Sequence, residues 1–149
     1  MSVPKLGMVD ISKKPIVVRE ALAEGVIILR PETIKLIKEN KVEKGDVLQI
    51  SSVCALNAVK KTPELIPFCH PIPIESVKPE FEIGDTYIKV RVKVKASSKT
   101  GVEMDALSGV LNALLNIWDL VKKYEKDSSG NYPFTRIQDV RVVEKVKYE

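Results

Sequence analysis

From Ile88 to Ala96 the chain alternates without a break, with Ile88, Val90, Val92, Val94 and Ala96 set against Lys89, Arg91, Lys93 and Lys95. Successive side chains of a strand point to opposite faces, so this run makes a strand with one apolar face and one cationic face. Wound as a helix, the same residues would scatter four cations around the whole circumference. Val77, Phe81 and Ile83 lead into Gly84-Asp85 just before it, which makes the pair a β-hairpin. A hairpin with one apolar face cannot stand alone, so the rest of the chain must cover that face.

The cover comes next. From about Gly101 to Lys126 the residues Ala106, Val110, Ala113, Leu114, Ile117 and Val121 recur every three or four positions, the stripe of a long helix. Apolar residues on its other faces call for burial from more than one side, and one sheet covers only one, which points to self-association. The most apolar part, Ala106–Trp118, is too short for a bilayer and includes Ser108, Asn112 and Asn116, so it is read as a buried helix.

Upstream, Ile16–Val18 and Val26–Leu29 are aliphatic clusters expected to be strands, with Arg19–Glu24 unassigned between them. Pro31 suits a first helical turn, and Ile34, Leu36 and Ile37 follow at helical spacing to about Asn40. A second helix is expected after Lys44-Gly45, capped by Asp46 with Gln49 three residues on. Val47, Ile50, Cys54 and Ala58 would form its inner face, and Pro63 would stop it. Between Pro63 and Pro73, prolines 63, 67, 71 and 73 hold Phe68, Cys69 and His70 in a stiff, non-repetitive segment. Asp127–Pro133 reads as a loop and Ile137–Val146 as a last strand.

Setting the small helix aside, the order is β-α-β-β-α-β, the split βαβ pattern of an α+β fold. It implies an antiparallel sheet with two helices on one face. At 149 residues, 44% hydrophobic and 30% charged, the chain suits one domain over residues 1–149 with a real core. Two cysteines, Cys54 and Cys69, make no disulfide framework, which points to a reduced, cytoplasmic setting. The first residues, Met-Ser-Val-Pro-Lys-Leu-Gly, lack the apolar core of a signal peptide. A formal charge of +4 favours anionic partners without choosing among them.

The residues that can carry chemistry each have a plain structural reading beside them. Thr100 and Glu103 have the spacing of a capping box for the long helix; alternatively Lys99 and the exposed amides face an anion, with Glu103 and Asp105 beside it. Asp119 and Lys122 are helical neighbours, either a local ion pair or an acid/base site. His70, the sole histidine, is either a hydrogen-bonded structural residue or a site residue. Zinc fits poorly, because Cys69 and His70 are adjacent and Cys54 is the other soft ligand. Lys44, Lys60 and Lys61 read alone are ordinary surface lysines. The sequence contains no Walker loop, dinucleotide fingerprint or Ser-His-Asp set.

Taken together and in order, these segments closely resemble the MoaC family, the cyclic pyranopterin monophosphate synthases of molybdenum-cofactor biosynthesis. The matching stretches are Met8–Ser12, Val18–Ala21, Lys44–Val47, Leu65–Pro71, Lys99–Leu107 and the pair Asp119 and Lys122. The Cys69-His70-Pro71 and Lys99-Thr100-Gly101-Val102-Glu103-Met104 segments are the most specific.

The resemblance implies a ferredoxin-like fold, a homohexamer built as a trimer of dimers, and active sites at subunit interfaces. It implies a lyase that turns 3′,8-cyclo-7,8-dihydro-GTP, supplied by a separate radical enzyme, into cyclic pyranopterin monophosphate and pyrophosphate. No organic cofactor or metal is called for. Carried over residue by residue, Lys122, Asp119 and Lys44 become catalytic, with Lys122 oriented by Asp119 as main acid/base. His70, Cys69, Glu103, Met104, Asp105, Arg19, Lys60 and Lys145 become substrate-binding. Asp105 stands where the family usually has Glu, Trp118-Asp119-Leu120-Val121-Lys122 replaces Tyr-Asp-Met-Cys-Lys, and Lys145–Glu149 replaces a Lys-Ser-Gly-Gly tail.

Two other classes fit less well. A single-strand RNA module stacks bases on exposed sheet aromatics, yet aromatic residues make up 5% of this chain and Ile88–Ala96 has none. A non-catalytic scaffold would not need the charged residues that the motifs retain. The reading therefore includes neither a nucleic acid nor a membrane as partner.

Overall fold

The computed structural model describes residues 5–149; residues 1–4 of the N-terminal stretch read for a signal peptide lie outside the described residues. The elements run β1 (Val17–Ile28), α1 (Pro31–Lys38), α2 (Val47–Lys60), α3 (Thr62–Leu65), β2 (Ile74–Ile83), β3 (Tyr87–Ser98), α4 (Glu103–Glu125) and β4 (Arg136–Tyr148). The four strands form one antiparallel sheet in the order β2-β3-β1-β4. The α+β class and the hairpin thus stand as read, and a four-residue helix, α3, adds to the expected elements.

The two aliphatic clusters at the start are the ends of one continuous strand of 12 residues, the first β of the expected order, with the unassigned middle included. Period-2 alternation explains why. Arg19, Ala21, Ala23, Gly25 and Ile27 lie opposite Ala96, Val94, Val92, Val90 and Ile88 and share the face that the helices cover. Glu20 and Glu24 take the other face, where cations of β3 and β4 meet them. Glu24 is 5% exposed, with Arg91 Nε 3.1 Å from Oε1 and Arg141 Nε 3.1 Å from Oε2. Burial alone would raise its carboxyl, but the two guanidinium hydrogen bonds outweigh that and hold it below the usual range.

The long helix α4 lies on β1 and β3, with Ala106, Val110, Ala113, Leu114, Ile117 and Val121 all buried, as the stripe requires. The fit is close at two glycines. A Cβ on Gly25 would stand 2.8 Å from Leu114 Cδ1 and 2.9 Å from Val110 Cγ1. One on Gly109 would stand 2.9 Å from Val59 of α2 and 3.1 Å from Val92 of β3, so α2, α4 and the sheet meet there on one face. This contact turns α2 slightly from the expected face: its buried stripe is Val47, Ser51, Ala55, Ala58 and Val59, leaving Ile50 and Cys54 half-buried. Small residues are selected where the backbones come this close.

Pro63 does not simply stop α2; it sits in the first turn of α3, where a missing N–H costs nothing. Pro79 is tolerated within β2 because β2 is an edge strand. The expected capping box is absent. α4 begins at Glu103 with Val102 as its N-cap and no side-chain cap. Ser98 Oγ accepts the Thr100 N–H at 3.0 Å, and Glu103 turns to Lys145 instead.

At the far end of α4, Glu125 is 1% exposed and fully engaged. Its carboxylate accepts from the Arg30 N–H at 3.1 and 3.3 Å, from Thr135 Oγ1 at 2.6 Å and from the Thr33 hydroxyl. One side chain thereby fastens the starts of α1 and β4 to the last turn of α4. Outward from the core, α4 presents Met104, Leu111 and Leu115, with Leu115 61% exposed. Among the described residues no helix is long and apolar enough to cross a membrane.

Candidate active site

The loop between α1 and α2 carries Lys44 to the C-terminal half of α4. Lys44 Nζ donates to the Asp119 carbonyl oxygen at 3.1 Å and to Asp119 Oδ2 at 3.3 Å. Lys122 Nζ, one turn along the helix, lies 3.2 Å from Asp119 Oδ1. One carboxylate thus holds two ammonium groups, and hydrogen bonds first from Lys122, then from Lys44, keep the Asp119 carboxyl below its usual range. All three side chains remain about half-exposed, so Asp119 is a paired surface acid rather than a charge buried in an apolar helix. Leu115, Asn116, Trp118 and Ile137 complete an open cleft beside Asp119 and Lys122. Its aromatic wall is braced by Tyr132, edge-on to Trp118 with ring centroids 5.2 Å apart.

A second cluster forms at the opposite end of α4. Glu103 folds back over Gly101, where a Cβ would collide with its Oε2, and Lys145 Nζ of β4 lies 3.3 Å from its Oε1. The other carboxylate oxygen of Glu103 is buried without a hydrogen-bond partner, and so is Oδ2 of Asp105. Asp105 is 1% exposed, and burial, reinforced by the charge of Glu103, pushes its carboxyl up to about 6. The acid form therefore persists into weakly acidic solution. Burial first, then Asp105 and Glu103, push the Cys69 thiol up, so it is a thiol at neutral pH.

His70 donates its Nε2–H to the Val9 carbonyl oxygen at 2.7 Å, which draws the N-terminal segment over this cluster. Val9, Asp10, Ile11 and Lys14 line one groove with Cys69, His70, Glu103 and Met104. The Met8–Ser12 stretch, whose only signal in the sequence is its motif, thereby becomes one wall of this groove. Arg19 is buried beneath the Lys99–Gly101 turn, its Nε 3.0 Å from the Ser98 carbonyl and its Nη2 3.4 Å from that of Lys99. Lys60 is exposed at the end of α2 with no ion pair among the described residues. Among them no group of three or more His, Cys, Asp or Glu side chains is placed to hold a metal.

The two clusters do not converge within the chain. Glu103 and Asp119 stand on one helix about 24 Å apart, at roughly 1.5 Å per residue. Each end offers a different chemistry: amines on a shared carboxylate at one, carboxyl groups with an imidazole and a lysine at the other.

A small α+β protein bearing lysine–carboxylate ion-pair clusters toward the two ends of one helix is the class that fold and site define. Residues 8–147 match the MoaC family, and the chain belongs to it. It is 60% identical over 140 residues to a probable cyclic pyranopterin monophosphate synthase of Pyrococcus abyssi, covering 94% of this chain and 88% of the relative. The corresponding protein of Aeropyrum pernix, with the same name, is 57% identical, covering 95% and 97%. A relative in Methanothermobacter thermautotrophicus, 53% identical with 95% and 89% covered, is named a probable cyclic pyranopterin monophosphate synthase accessory protein.

Proposed function

We propose that this chain is a cyclic pyranopterin monophosphate synthase, a lyase of molybdenum-cofactor biosynthesis. It converts 3′,8-cyclo-7,8-dihydro-GTP into the cyclic pyranopterin and pyrophosphate, receiving that substrate from a radical enzyme upstream. The observation that carries the reading is the meeting of Lys44 and Lys122 on Asp119. Opening the purine imidazole ring, closing the pyran-bearing pterin and expelling pyrophosphate need repeated proton transfers without net redox change. Amines poised by one carboxylate can donate and accept in turn. Lys122 is the main acid/base, oriented by Asp119, and Lys44 assists.

His70, Cys69, Glu103 and Met104 contact the substrate above the buried Asp105, and Lys60 and Lys145, with the deeper Arg19, supply positive charge for its phosphates. The separation of the two clusters supports a site completed by a second copy. A neighbour's Glu103 end, placed beside the Lys122 end of this chain, assembles one pocket from two chains. We read the assembly as a hexamer, a trimer of dimers, of single-domain, ferredoxin-like subunits in the cytoplasm, working without a metal or organic cofactor. The exposed Leu111 and Leu115 of α4 supply an apolar surface for such contacts.

The test is direct. Purified protein mixed with the cyclised GTP releases pyrophosphate and the pterin; a clean negative with competent substrate overturns the reading.

A further inference from the structure

Lys44 stands on a loop, and the loop is held by neighbours outside the reacting groups. After α1, Asn40 takes a positive φ of 53°, Val42 turns into the core at 6% exposure, and Gly45 adopts a φ of +126° that favours glycine. These features turn the chain toward α4 but do not aim the Lys44 side chain, which has four rotatable bonds of its own. The aim comes from the residue before it. The Glu43 N–H donates to the Tyr124 hydroxyl at 2.9 Å, and the Glu43 carboxylate is paired with Lys123. The Lys123 ammonium in turn lies 5.3 Å from the centroid of the Tyr124 ring. Glu43, Lys123 and Tyr124 thus close a three-membered clamp one residue away from the amine that meets Asp119.

We propose that Tyr124, with Lys123, is a positioning residue for Lys44: its hydroxyl fixes the Glu43 peptide so that the next side chain reaches Asp119 across the loop. The inference rests on the proposed role of Lys44 in the reaction. Neither Tyr124 nor Lys123 touches the reacting groups; each acts through Glu43. The clamp also settles the order of charges along the last turns of α4, because the Glu43 carboxylate takes up Lys123 and leaves Asp119 to Lys122 and Lys44. Without the clamp, the loop keeps Val42 buried but the Lys44 amine samples solvent, and Asp119 retains Lys122 alone.

Two readouts on Tyr124→Phe, which removes one oxygen and keeps the ring, test this on the full-length protein. The first is limited acylation of lysines with an amine-reactive reagent, read residue by residue by mass spectrometry. Lys44 is expected to label several-fold faster in Tyr124→Phe, with Lys122 and Lys60 unchanged. The second is steady-state turnover of the cyclised GTP, with kcat falling about fivefold and KM within twofold, as expected when a reacting group is misplaced rather than removed. Lys123→Ala should move Lys44 labelling in the same direction. A merely structural role for Tyr124 would raise labelling at many lysines and lower the thermal midpoint instead. Unchanged Lys44 labelling in both variants overturns the clamp, whatever the turnover. Faster labelling with wild-type kcat overturns its part in the reaction. An inactive wild-type protein overturns the functional reading, and the labelling alone then decides the clamp.

Discussion

Asp119 and Lys122, one helical turn apart on α4, are joined at 3.2 Å between Oδ1 and Nζ, while the other carboxylate oxygen of Asp119 is taken by Lys44. Two amines of the same charge therefore share a single counter-ion. Under the proposed mechanism Lys122→Ala removes the main proton carrier. Pyrophosphate release from the cyclised GTP should fall to background, with the elution volume on size-exclusion chromatography unchanged from the wild type. Substantial residual turnover would move the acid/base role to Lys44.

Asp105 sets a pH dependence of stability. Its carboxyl in the folded chain lies at about 6, above the ordinary value of 3.8. A group raised on folding stabilises most when protonated, so its contribution is present in full below about pH 4 and is lost as pH rises through about 6. A shift of this size corresponds to on the order of 2–3 kcal/mol. Asp105→Asn, which cannot ionise, should match the wild type in acid and exceed its thermal midpoint at pH 7. Midpoints that run parallel from pH 4 to pH 7 would contradict this.

Gly25 admits α4 onto the sheet. A methyl group there would meet Leu114, Val110 and Val140 at 2.8 to 3.0 Å. Gly25→Ala should cost about 1–3 kcal/mol through overpacking. Chemical denaturation reads the loss as a lower midpoint at unchanged slope; a variant as stable as the wild type would show that α4 can lift away freely.

Glu125 joins three elements through one carboxylate. Glu125→Ala strands the Thr33 and Thr135 hydroxyls and the Arg30 N–H in a closed site. The expected destabilisation is about 3 kcal/mol. Hydrogen exchange should localise the loosening to the starts of α1 and β4, while the centre of β3 stays protected.

Most of the architecture was legible where a period repeats over many residues, as in β3 and along the buried stripe of α4. β1 was harder, because its middle carries Arg19, Glu20 and Glu24, whose burial depends on partners brought from β3 and β4. The inner face of α2 lies about one position from where hydrophobic spacing puts it, because backbone approach at Gly109 and Ala55 sets its rotation. The capping box fails because Ser98, two residues upstream, takes the Thr100 N–H, and Lys145 of β4, a partner that local spacing does not reveal, draws Glu103 away. At the candidate site, Asp119 with Lys122 was visible as a helical pair, and Lys44 through resemblance alone, since the loop that delivers it has no periodic signal. Tyr124 carried no signal, because its partner is a backbone N–H of that loop.

The 23-residue α4 also fixes how the gene can change in length. Both clusters are bolted to one helix, and each added or deleted residue rotates everything beyond it by about 100° and shifts it by about 1.5 Å. A single-residue insertion between Asp105 and Asp119 would swing the Asp119–Lys122 pair away from Lys44 and press a polar stretch into the sheet. Variation in length is thereby confined to loops such as Asp127–Pro133, and the stretch from Glu103 to Glu125 can drift in composition but not in count.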